Sequence, residues 1–262
     1  MVDGEAETGL PPPVSISLDA SLETYWHARI RQAFFDSYAG VPIGKLPEDL
    51  RVYEHLLWAS GANVVVEIGT DFGGSALWFR DRLATMARYG RIRRGHVFSI
   101  DISVEKAQKH IGSADPSDIT LIEGDVCDPA LADHVTHLLP ADAVCFVIED
   151  SAHTYDTTRA ALDGFSQLVP LGGYFVVEDG CVDIEEMRIT EKWPRGVLPA
   201  ISDWLASGPG SQFTGRRDLE RYGLSCHPHG FLQRTRDGSE ATELPKATWS
   251  SRLRRAAPRE RR

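Results

Sequence analysis

Five short apolar runs alternate with helix-length stretches between Asn63 and Val177, and that alternation restricts the fold more than any other feature. The runs are Val64–Ile68, His96–Ile100, Ile119–Ile122, Ala143–Ile148 and Tyr174–Val177. The stretches between them centre on Ser75–Tyr89, Val104–Ile111, Pro129–Leu139 and Thr157–Leu168. Strand and helix in strict turn predict an α/β chain with a mostly parallel, doubly wound sheet. The runs are near-continuous in apolar residues, as strands covered on both faces are. A further helix is expected over Gly196–Ala206, and a closing antiparallel pair within Leu219–Thr235.

The flanks read differently. Residues 1–13 are polar and rich in Gly and Pro, and are expected to be flexible. Residues 14–60 carry Tyr25, Trp26, Ile30, Phe34 and Phe35 at helical spacing, followed by a helix from Pro47 to Trp58. They are expected to form an N-terminal helical lid or packing segment. Residues 61–238 would be the catalytic domain, and 239–262 a tail. The last twelve residues hold six Arg against one Glu, a net of +5, so the rest of the chain is near −15 within a total of −10. An acidic body argues against nucleic-acid binding, which depends on neutralising phosphates. No run approaches membrane-spanning length, and Met1–Leu10 has no apolar signal stretch, so a cytoplasmic protein is expected. Cys127, Cys145, Cys181 and Cys226 show no metal spacing and are expected to be reduced.

In a doubly wound sheet, ligands sit beyond the carboxyl ends of the strands. Here each strand end is polar. The first leads into Glu67-Ile-Gly-Thr-Asp-Phe-Gly-Gly-Ser75. Glycines at 69, 73 and 74 would allow close backbone approach, and Ser75 opens a helix whose N-terminal amides favour an anion. The second run ends at Asp101, suited to ribose hydroxyls, and the third at Glu123-Gly124-Asp125, suited to an adenine amino group. The spacing is G-x-x-x-G-G, not the G-x-G-x-x-G of a dinucleotide site, which favours S-adenosylmethionine over a nicotinamide or flavin. Cofactor contacts are expected from Glu67, Gly69, Thr70, Gly73, Gly74, Ser75, Asp101, Ser103, Gly124, Asp125 and Asp150.

The fourth run ends in Glu149-Asp150-Ser-Ala-His153 and the fifth in Glu178-Asp179-Gly180. Adjacent parallel strands would bring Asp150, Glu178 and Asp179 together. Three converging carboxylates repel unless a cation neutralises them, and oxygen ligation suits Mg²⁺ or another hard divalent ion. His153 either takes a proton from an acceptor hydroxyl beside that ion or caps the following helix. Glu149 is expected to point away, and His227 and His229 to be structural or exposed. Tyr25, Trp26, Tyr155 and the Glu185–Trp193 loop are candidate acceptor walls.

The stretches Lys45-Leu-Pro-Glu-Asp49, Val66-Glu-Ile-Gly-Thr-Asp-Phe-Gly-Gly-Ser-Ala-Leu-Trp78, Asp150-Ser-Ala-His-Thr-Tyr155 and Leu171-Gly-Gly-Tyr-Phe-Val-Val-Glu-Asp-Gly180 resemble the cephalosporin hydroxylase/rhamnosyl O-methyltransferase family. They also resemble the macrolide sugar O-methyltransferases of mycinamicin and tylosin biosynthesis. The resemblance implies a Rossmann-like class I methyltransferase, oligomeric and Mg²⁺-dependent, acting on a sugar hydroxyl of a secondary metabolite. It implies Asp150, Glu178 and Asp179 as metal ligands and His153 as the catalytic base. The acceptor would be a small glycosylated or hydroxylated molecule. A catechol-like aromatic acceptor, or an accessory subunit that only binds the cofactor, are the alternative readings.

Overall fold

The computed structural model describes residues 16–111 and 118–237. The expected flexible N-terminus and the basic tail lie outside the described residues. The elements run α1 (Leu22–Ala33), β1 (Ser37–Tyr38), β2 (Val41–Pro42), α2 (Pro47–Ser60), β3 (Val64–Ile68), α3 (Gly74–Arg88), β4 (His96–Asp101), α4 (Glu105–Ile111) and β5 (Ile119–Glu123). They continue with α5 (Pro129–Leu138), β6 (Cys145–Glu149), α6 (Tyr155–Phe165), β7 (Tyr174–Val177), α7 (Val197–Leu205), β8 (Phe213–Gly215) and β9 (Phe231–Arg234).

Among the described residues, seven strands form one sheet in the order β5-β4-β3-β6-β7-β9-β8. Strands β3 to β7 are mutually parallel, and β9 runs antiparallel between β7 and β8. This is the doubly wound, mostly parallel sheet that the alternating apolar runs predict, with helices on both faces. The order reverses between β3 and β6, so the carboxyl ends of those strands open onto one crevice. The closing pair is shorter and begins earlier than expected: β8 begins at Phe213, and residues 219–230 contain no strand.

The sheet separates two apolar layers. Val64, Val66 and Ile68 face a cluster with α1, α5, α6 and α7, through Trp26, Leu131, Leu162 and Trp204. Val65 faces α2 and α3, through Tyr53, Leu57, Leu77 and Phe79. Local chemistry sets the helix ends. Pro47 opens α2, where its missing N–H costs nothing, and Gly61, left-handed at φ 68°, closes it. At α6 a reciprocal pair caps the N-terminus: Thr157 N–H donates to Thr154 Oγ1 at 3.2 Å, and Thr154 N–H to Thr157 Oγ1 at 3.3 Å. No described helix is long and apolar enough to cross a membrane.

Candidate functional site

A cavity of about 600 Å³ opens at the carboxyl ends of β3, β4, β5 and β6. One end is walled by Gly69, Thr70, Gly74, Ser75, Asp101, Gly124 and Asp125, the other by Asp150, His153 and Asp179. Asp101, Asp125, Asp150 and Asp179, each at or just past a strand end, therefore share one space. Helix α3 starts at this wall with no acidic residue in its first turn, so its positive end is free to face an anion. Asp101 braces the loop: Thr70 N–H and Asp71 N–H donate to its Oδ2 at 2.9 and 3.0 Å, and Ser103 N–H to its Oδ1 at 3.2 Å. Ser103 is not itself part of the wall.

The loop glycines serve the protein first. A Cβ on Gly69 would lie 1.9 Å from the Asp150 carbonyl oxygen, and one on Gly74 would lie 2.2 Å from the Pro42 carbonyl oxygen. Gly73 abuts Ile111 and lies outside the wall. Close approach of β6 and of the β2 segment therefore requires glycine at 69 and 74 before any ligand does.

Glu67 departs from expectation. It is fully buried and does not reach the cavity. Along β3 it alternates onto the same face as Val65, under the helices, where Ser99 Oγ donates to its Oε2 at 2.6 Å. Burial pushes its carboxyl up from 4.5 to about 7, against the pull of Lys45 and the Ser75 and Ser99 hydroxyls. The unfolded chain releases this proton near 4.5 and the folded chain near 7. Between those values the folded state binds the extra proton, so stability falls as pH rises. Glu67→Gln is expected to flatten the decline in melting temperature between about pH 5 and 8, a contribution on the order of 3 kcal/mol. A variant whose melting temperature declines as steeply as the wild type's would contradict this.

Asp150, just past β6, and Glu178 and Asp179, just past β7, stand side by side. Asp150 and Asp179 line the cavity with side chains 26% and 32% exposed, while Glu178 lies beneath them at 3%. His153 Nε2 is 3.9 Å from Asp150 Oδ1 and 3.5 Å from Asp179 Oδ2. Its Nδ1 is buried and has no partner among the described residues. The helix cap is Thr154, so capping does not account for His153. Both His153 (φ 55°) and Asp179 (φ 56°) are left-handed, a strained backbone for such residues. Burial pushes the Asp179 carboxyl up to about 7; His153 opposes the rise and Asp150 and Glu178 add to it. Burial would lower the His153 pKa, but Asp179 and Asp150 raise it overall.

These donors fit a hard divalent cation. The ligand atoms of Asp150, His153 and Asp179 lie within 4.8 Å of one another, as do those of Glu178, Asp179 and His227. Carboxylates whose pKa values are raised by burial and mutual repulsion are the groups a cation relieves. Glu149 points away as expected: Ser151 Oγ and Thr158 Oγ1 both donate to it, the latter at 3.2 Å.

The acceptor side is built differently from expectation. Trp26 is 2% exposed and belongs to the core, its indole N–H donating to the Met187 carbonyl at 2.6 Å. Neither Tyr25 nor Tyr155 lines the cavity, and the Tyr155 hydroxyl donates to Asp203 at 3.0 Å. Phe34 and Ile43 supply the apolar wall instead, and Phe34 meets Trp193 edge-on at 6.4 Å. The loop that carries Trp193 is held by buried Arg188, which donates to the carbonyls of Val182, Thr190, Glu191, Trp193 and Pro194. Lys45 and Tyr53, given no role from sequence, bond directly to the acids: Lys45 Nζ donates to Asp150 Oδ2 and Glu178 Oε2, both at 2.7 Å, and Tyr53 Oη to Glu178 Oε1 at 2.7 Å.

Known proteins share this arrangement of elements. The family model described as Rhamnosyl O-methyltransferase/CmcI matches residues 32–235. Rhamnosyl O-methyltransferases of Mycobacterium tuberculosis and Mycobacterium leprae are each 27% identical over 199 residues, 76% of this chain and 78% and 82% of theirs. Among solved structures, the CmcI-N160 apo-structure aligns with TM-score 0.54 at 24% identity, covering 87% of this chain and 90% of that one. The cmcI-D160 Mg-SAM structure aligns with TM-score 0.53 at 23% identity, covering 86% and 90%. At that identity the structural likeness shows the fold, and the family model carries the assignment. Because that match runs from the end of α1 through β9 and takes in every strand end that builds the cavity, the chain belongs to the rhamnosyl O-methyltransferase/CmcI family.

Proposed function

We propose that this chain, an O-methyltransferase by family, methylates a sugar hydroxyl of a secondary metabolite, using S-adenosylmethionine and Mg²⁺ or another divalent cation. One observation carries the reading: a single cavity joins the α3 N-terminus and Asp101 to the Asp150–His153–Asp179 cluster. Self-association, implied by the resemblance, belongs to the same reading.

When bound, S-adenosylmethionine supplies an electrophilic methyl and the cation makes the acceptor hydroxyl more acidic. The first amides of α3 hold the methionine carboxylate. Asp101 accepts from the ribose hydroxyls, and Asp125 from the adenine amino group. Asp150, Glu178 and Asp179 hold the cation. Phe34 and Ile43 give the acceptor an apolar face. His153 Nε2 would accept the hydroxyl proton as the oxygen bonds the methyl carbon and the methyl–sulfur bond breaks, with S-adenosylhomocysteine as the leaving group. Fixing the acceptor in line with the methyl is worth about 7–11 kcal/mol of the barrier.

The test is methyl transfer from labelled S-adenosylmethionine by the purified protein, with a glycosylated deoxysugar acceptor and a catechol as parallel arms. Transfer to the sugar alone is the expected result. Transfer to the catechol alone favours an aromatic acceptor, and transfer to neither, with the cofactor bound, favours an accessory subunit.

A further inference from the structure

Lys45 is 3% exposed, although it is a charged residue in a loop. It sits between β2 and α2, yet its ammonium reaches the ends of two strands more than a hundred residues away. A buried ammonium is costly unless matched by close acceptors. Lys45 has two at 2.7 Å, Asp150 Oδ2 and Glu178 Oε2, on neighbouring strand ends. It therefore ties the tip of β6 to the tip of β7 at the point where the acids converge.

Helix α2 reinforces the same point. Its Tyr53, fully buried, donates to the other Glu178 oxygen at 2.7 Å. The His227 ring stacks on Tyr53 at 5.8 Å and 6°, and His227 Nδ1 accepts from the Asp179 N–H at 3.1 Å. Asp49, one turn before Tyr53, lies 3.5 Å from His227 Nε2 and accepts from Ser225 Oγ at 2.7 Å and Cys226 N–H at 3.0 Å. Each acid of the cluster is thus gripped from below by this group, while Asp150 Oδ1 and the Asp179 carboxylate stay turned towards His153.

We infer that Lys45 and Tyr53 form an internal brace that positions Asp150 and Glu178 for a divalent cation. Resting on the cation reading above, the inference gives the N-terminal segment a part in the site. One ammonium among Asp49, Asp150, Glu178 and Asp179 leaves the cluster short of positive charge, which a cation would supply. The brace also fixes orientation. It takes the inner oxygen of Asp150 and leaves the outer one for the cleft. Lys45 and Tyr53 are positioning residues, since neither lines the cavity.

The experiment is Mn²⁺ binding to the full chain, followed by electron paramagnetic resonance, for wild type, Lys45→Met and Tyr53→Phe. S-adenosylhomocysteine binding certifies that each variant is folded. Lys45→Met is expected to weaken Mn²⁺ by about 10–100-fold, the range for partners that orient metal ligands, with the cofactor product still bound. Tyr53→Phe removes one hydroxyl and keeps the ring on His227. It is expected to weaken Mn²⁺ in the same direction by less, and it carries the test if Lys45→Met does not fold. Tighter Mn²⁺ binding in Lys45→Met would mean that only the charge of Lys45 is felt, and overturns the brace. Unchanged affinity in the folded variants, with only melting temperature lowered, makes Lys45 and Tyr53 structural filler and also overturns it. A wild type that binds no Mn²⁺ overturns the cation reading and the brace together.

Discussion

Asp179→Asn is expected to lower turnover by roughly 10³-fold or more, with S-adenosylhomocysteine binding largely intact; Lewis-acid stabilisation is worth several kcal/mol, and ~1.4 kcal/mol is tenfold. The substitution isolates charge. Asn matches Asp in shape and is among the few residues that tolerate the left-handed backbone Asp179 adopts at φ 56°. The Asp179 N–H bond to His227 Nδ1 belongs to the backbone and survives. What disappears is one of the two carboxylates at the His153 end of the cavity, and with it a hard anionic ligand. The cofactor end of the cavity, at Gly74 and Asp101, is untouched. Excess chelator is expected to reproduce the loss in the wild type, and Mg²⁺ to restore it. Full turnover in chelator, or an Asp179→Asn variant with near-normal turnover, refutes a metal role for the cluster.

The strand ends were legible because parallel strands covered on both faces read as apolar runs, and a charged residue closing such a run must leave the sheet. Asp101, Asp125, Asp150 and Asp179 follow that logic and meet in one cavity. Glu67 and Glu149 do not, and the reason is the two-residue alternation of a strand. Glu67 continues the Val65 face and Glu149 the Val147 face, so each turns into a helix layer. Counting alternation, rather than distance to the strand end, would have placed Glu67 inside, as Glu149 was expected to be. Lys45 carried no such signal. A lysine in a loop has no periodicity, and its partners lie 105 and 133 residues along the chain. Only Pro47 at the start of α2 hinted that the loop had a fixed exit. Trp26 misled for a related reason. The stripe Trp26–Ile30 marks an apolar face, and an apolar face covers a core as readily as it lines a cleft.

His153→Ala is expected to lower turnover by about 10²–10⁴-fold, the usual contribution of a general base, while Mn²⁺ and S-adenosylhomocysteine still bind. Position argues for the role. His153 lines the cavity beside Asp150 and Asp179, and its strained backbone at φ 55° is held just before the Thr154 cap, where nothing in the helix requires it. Electrostatics sets a condition on it. Asp179 and Asp150 hold the imidazole pKa up, which favours the charged ring, and a charged ring cannot take a proton. Those two carboxylates are also the groups a divalent cation would engage, so engaging them frees the neutral ring. Base and cation also serve one deprotonation, so the two largest losses should not add: Asp179→Asn with His153→Ala should cost little more than Asp179→Asn alone. A His153→Ala rate near that of the wild type removes the base from the mechanism. A double variant in which the two losses multiply in full would show the histidine acting without regard to the cluster beside it.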